Sequence, residues 1–83
     1  MRKFYGVAQY DNYRVGCAGQ TVYVSDGQGA EIARLKDISY AYAAAFSPDG
    51  SLLAVRSTTS WFAFYAPPEF RLVQKVRMRR PNS

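Results

Sequence analysis

The sequence predicts an all-β chain built as two four-stranded antiparallel sheets. Three observations predict it. Eight short apolar runs follow one another, each closed by a turn signal. Aromatic residues make up 16% of the chain, with seven Tyr, five Phe and one Trp, and these residue types favour strands. The order of runs and turns then repeats with a period of about 40 residues.

The first run, Phe4-Tyr5-Gly6-Val7-Ala8, is the first expected strand. A second spans 13–18 and is closed by Gly19-Gln20. The third, 21–25, is rich in β-branched and aromatic residues. Asp26-Gly27-Gln28-Gly29 is a turn by composition, because Asp and Gly tolerate positive φ. The fourth strand covers 31–35. The fifth, 42–46, belongs to an alanine-rich stretch for which helix is the competing reading, since Ala is the best helix former. Strand is favoured, because the run is short, has β-type flanks and stops at Ser47-Pro48-Asp49-Gly50. In that turn Pro48 presets φ and Gly50 supplies a left-handed exit. The sixth strand is 52–56, followed by a polar turn over 57–60. The seventh is 61–65, ended by Pro67-Pro68, and the eighth is 71–78. Trp61-Phe62-Ala63-Phe64-Tyr65 and Leu52-Leu53-Ala54-Val55 are apolar on both faces, so each needs cover on both sides.

In the repeat, Val22-Tyr23-Val24 aligns with Phe62-Ala63-Phe64, and Glu31-Ile32 with Arg71-Leu72. Val7 falls at or near Phe46. A period of about 40–45 residues with four strands per unit is the signature of propeller blades. The stretch Ala43-Ala44-Ala45-Phe46-Ser47-Pro48-Asp49-Gly50-Ser51-Leu52-Leu53-Ala54-Val55 resembles the first and second strands of a WD-repeat blade. Thr21-Val22-Tyr23-Val24-Ser25-Asp26 resembles the third strand with its terminal Trp-Asp pair, Ser25 standing where the Trp usually is. The Phe-Ser-Pro-Asp-Gly turn also occurs in other propeller families, including the TolB-like ones. In the second unit Tyr65-Ala66 occupies the Trp-Asp place, and no Gly-His pair precedes either unit. The His–Ser–Asp–Trp network of well-kept WD repeats therefore cannot form, and the units must rely on apolar packing. The resemblance implies a first blade over 1–38, a second over 39–80 and a tail, 81–83.

A closed propeller has about four to eight blades. Two blades leave apolar flanks open, and such patches mark interfaces. The chain is then part of a longer protein, or three or four copies associate, or it docks on another chain's incomplete propeller. The expected partner is a protein or further blades, in a scaffold role. The resemblance places the loop between the fourth strand and the next first strand on the face where partners bind. Tyr40 and Tyr42 are its expected contact residues, since Tyr is enriched at interfaces, with Lys36 and Asp37 beside them.

Other chemistry is constrained by what the chain holds. It has 83 residues, one Cys and no His. Catalysis by a His-based dyad or triad is excluded, as are zinc sites built on His or on several Cys. Cys17 cannot pair within the chain and reads as a small buried hydrophobe. The six acids are scattered, mostly in turns. Gly27-Gln28-Gly29 lacks the third glycine and the helix of a dinucleotide loop. No enzyme activity, cofactor or metal is expected.

The net charge of +5 is concentrated at the C-terminus. Lys75 and Arg77 alternate with Val76 and Met78, so with Arg79 they share one strand face, and Arg80 follows. The bland reading is an outer strand whose cations keep its edge unpaired. The alternative is an anion-binding strip for nucleic acid or an acidic surface. No run reaches the ~20 apolar residues of a membrane span, and the start lacks the ~7–15 apolar residues of a signal peptide. A cytoplasmic location is the expectation.

Overall fold

The computed structural model describes residues 4–77. Eight strands follow in order: β1 Gly6–Tyr10, β2 Tyr13–Cys17, β3 Val22–Ser25, β4 Glu31–Leu35, β5 Ala41–Phe46, β6 Leu53–Ser57, β7 Trp61–Ala66 and β8 Arg71–Arg77. They form two antiparallel meanders, β1-β2-β3-β4 and β5-β6-β7-β8. The chain is thus all-β, and no helix occurs among the described residues. The alanine run is a strand, with Ala44 opposite Val55 and Phe46 opposite Leu53. Partner strands outweigh the helical preference of a short Ala segment, because nucleating a helix is costly.

One strand lies later than the sequence suggests. β1 begins at Gly6 and runs on to Tyr10, where the expected span was 4–8. The reason is the two-residue turn Asp11-Asn12, which pairs Tyr10 with Tyr13. Asp11 adopts φ 52°, a left-handed conformation that Asp accepts more readily than most residues.

Two turns are held by their own carboxylates. Asp26 Oδ1 accepts the amides of Gln28 and Ala30, both at 2.9 Å. Asp49 Oδ1 accepts the Ser51 amide at 3.0 Å, the Ser51 hydroxyl at 2.7 Å and the Ser47 hydroxyl at 2.9 Å. Gly50 has φ 74°, and the Tyr10 ring lies where its side chain would be.

The core lies between the sheets. Val15, Cys17, Val22, Val24 and Leu35 come from the first, and Leu53, Val55, Ala63 and Tyr65 from the second. Ile38, Ala41 and Phe70 fill the ends. β1 and β2 lie over β5. Gly6 is required there, because any Cβ would overlap the Tyr42 carbonyl. At the turn end Tyr13 stacks on Phe46 at 6.3 Å and meets Phe70 edge-on at 5.1 Å. At the other end Gly19 and Ala41 exchange two backbone bonds of 3.1 and 2.8 Å, stitching the sheets together.

Hydrogen-bond direction shows which faces meet. In an antiparallel ladder each residue bonds to one neighbour only, and chirality ties that side to the face its side chain takes. The Ala18 amide donates to Thr21, so alternate residues Gly16 and Arg14 bond toward β3, and buried Val15 and Cys17 toward β1. The Ser47 amide donates to Leu52, so Ala54 and Arg56 bond toward β5, and buried Leu53 and Val55 toward β7. Both meanders run in the same sense, so the core joins the front of one sheet to the back of the next. Opposite faces are left without a covering sheet on the two outsides, that of the first sheet carrying the Phe4 ring over Gly16 and beside Tyr23. On the same grounds Val22 and Val24 are matched in the second sheet by Phe62 and Phe64, as the sequence repeat aligns them.

Candidate functional site

Three loops converge at the end marked by the Gly19–Ala41 bridge: 18–21, 36–40 and 58–60. Tyr5 enters beside them. Together they line a depression of about 340 Å³, with Tyr5, Gln20, Tyr40, Tyr42 and Thr58 around Gly19. Tyr5 is 68% exposed and Tyr40 57% exposed. Tyr40 holds φ 60°, unusual for a bulky residue, and its carbonyl accepts the Thr58 amide at 3.1 Å. Non-glycine residues in this region cost on the order of 1–3 kcal/mol and persist where their surroundings fix them. Here the fixing bond turns the Tyr40 ring outward. Tyr42 is half-buried, and the Arg56 guanidinium lies 5.7 Å from its ring centre.

Of the four loop residues singled out in the sequence, Tyr40 and Tyr42 line this depression. Lys36 is exposed in the same loop and is not part of the lining. Asp37 points elsewhere, accepting the buried Tyr65 hydroxyl at 2.8 Å. Burial and then Asp37 push the Tyr65 phenol above its usual range. Asp37 thus pins the β4–β5 loop to the third strand of the second sheet. Tyr5 joins the site although its sequence neighbourhood reads as strand interior. Its role depends on β1 starting at Gly6, which local pattern does not show.

The basic strip is assembled in part. Lys75 Nζ lies 4.8 Å and Arg77 Cζ 6.0 Å from the Trp61 ring centre, so both cations share one face. Arg79 and Arg80 lie outside the described residues. The first sheet shows the same device, with Arg34 lying 5.6 Å over Tyr23. In each sheet a cation from the outermost strand covers an aromatic ring of the third, worth about 0.5–1 kcal/mol at exposed sites.

The outer face of the first sheet holds a second depression, of about 460 Å³, lined by Phe4, Val7, Arg14, Gly16 and Tyr23. Cys17 lies on the opposite, buried face, where burial pushes its thiol up to about 11 and leaves it a poor nucleophile. Four of the six acids have structural partners: Glu31 bonds Arg34 at 2.7 Å, Asp37 holds Tyr65, and Asp26 and Asp49 hold their turns.

No family model matches the chain, and no curated protein matches it. Solved structures do. One is titled Kuenenia stuttgartiensis hydrazine synthase: 93% of this chain superposes with TM-score 0.79 at 12% identity, over 24% of that chain. Another comes from the crystal structure of a mitotic checkpoint complex: 95% of this chain superposes with TM-score 0.72 at 16% identity, over 26% of that chain. The chain spans about a quarter of each. At these identities the likeness is one of fold.

Proposed function

We propose that the chain is two consecutive blades of a WD-repeat-like β-propeller and serves, without enzymatic activity, as a protein-interaction module. The front-to-back stacking of the two sheets carries this reading. A two-sheet sandwich would bury its apolar faces against each other and be finished. Here each sheet uses a different face, so a further blade can be added on either side without changing the mode of packing. Four-stranded meanders stacked in this way are the building units of propellers. The likeness to segments of two much longer chains supports the same reading.

The tyrosine-lined loop end is the surface we assign to a protein partner. Tyr and Trp supply large contact area at low entropic cost, which is why they are enriched at interfaces. The test is affinity capture with the wild-type chain beside a Tyr5→Ala/Tyr40→Ala double variant. Both side chains are exposed, so the variant is expected to keep the wild-type circular dichroism. Partners held by the wild type and lost by the variant support the assignment. An unchanged set of partners removes it.

A second reading rests on the shared face of Lys75 and Arg77. It makes β8 an anion-binding strip, with Arg79 and Arg80 following it in the sequence. Binding of this kind falls steeply with added salt.

A further inference from the structure

We propose that a second copy of this chain docks head to tail on the first, the outer face of its first sheet covering the outer face of the second sheet, so that copies close into a ring. The proposal rests on the blade reading and names the occupant of its open flanks. Both halves of the required interface are present on one molecule. By hydrogen-bond direction, the outer face of the second sheet is the same side of a meander that the first sheet buries. Its residues match in position, though Ala43 carries a Cβ where Gly6 has none, so the docking strand must stand slightly further off there. Ala43 and Ala45 stand where Gly6 and Ala8 let β5 approach closely. Phe62, Phe64 and Val76 stand where Val22, Val24 and Leu35 fill the core.

The outer face of the first sheet matches the side that the second sheet buries. Val7 stands where Ala44 packs against the core, yet Val7 is 71% exposed. Tyr23 and Arg34 repeat the pairing of third-strand aromatic and outer-strand cation made by Trp61 and Lys75. Charge does not oppose the contact. Arg56 lies near the loop end and is folded onto Tyr42 and Phe62, while Arg14 lies near the turn end. The Arg14 and Arg56 guanidinium groups therefore sit at opposite ends of the new seam, and the third, Arg34, is ion-paired with Glu31 at 2.7 Å. An interface whose two halves differ generates rings when the rotation closes, and two-blade units reach the usual size of about four to eight blades with two to four copies.

The experiment uses light scattering on a sizing column with the full chain and two variants. Val7→Glu blocks the outer face of the first sheet, and Ala45→Glu blocks that of the second. Wild type is expected as one discrete oligomer, and each variant alone as a folded monomer. Mixed together, the variants should form a one-to-one dimer, because each retains the half that the other has lost. A wild-type monomer, a polydisperse series, variants that stay oligomeric or a mixture without dimer each overturn the proposal. Far-UV circular dichroism separates the two levels. A folded, strand-rich monomer overturns self-docking and leaves the blade reading standing, whereas a chain without strand signal takes down both.

Discussion

Asp49 is exposed, yet its carboxylate is pulled down to about 2, first by the Ser51 amide and hydroxyl and then by the Ser47 hydroxyl. A lowered folded-state value means that the contribution is complete above the unfolded pKa, about 3.9, and fades as pH falls toward 2. An NMR titration should therefore place the Asp49 midpoint well below that of free Asp. The Ser51 amide should lose its downfield shift over the same range. A midpoint near the free value would mean that the turn is not held this way. This turn is readable in the sequence because all its partners lie within four residues. The Tyr65–Asp37 bond is not, since its partners are far apart in sequence and meet only once both sheets are in place. The sequence reading therefore treats Asp37 as a loop residue awaiting a partner, and the fold shows it already engaged.

At the level of elements, seven of the eight strands fall close to where apolar runs and turns place them. β1 shifts because Asp11-Asn12 makes a tighter turn than the composition of 9–12 suggests. The shift matters, because it sets Gly6 against β5. A side chain there must displace the Tyr42 backbone, and backbone yields less than a side-chain tip. Gly6→Val should therefore destabilise the chain by about 1–3 kcal/mol, the range for overpacking a tight contact. Urea unfolding measures it, and a loss below about 0.5 kcal/mol would show that β1 can move away freely. The order and approximate bounds of the strands were legible from the runs and turns, whereas the register shifts at Val24/Ser25, Ala41/Ala43 and Phe64/Tyr65 were not. Nor was it legible which faces would meet, because the alternation of apolar residues is blurred where β7 is apolar throughout.

For the whole molecule, the seam between the sheets is the common element of stability. Cys17 lies within it, fully buried, with its thiol raised to about 11. A thiol raised in the folded state leaves stability intact below the unfolded value, about 8.5, and erodes it between there and 11. At pH 8 a thiol reagent should label Cys17 only as fast as the sheets part. The labelling rate should then rise with urea in step with loss of the strand signal. Rapid labelling in native buffer would mean that the seam opens without unfolding either sheet.

The front-to-back seam also gives the molecule a direction. It has a leading surface and a trailing surface, and adding a unit at either end leaves the same two surfaces on offer. Nothing in the side chains of one unit therefore counts how many units have been joined. In the proposed ring that number would be set by the angle between neighbours, and so by residues such as Gly6 and Ala8 that fix how closely the inner strands approach.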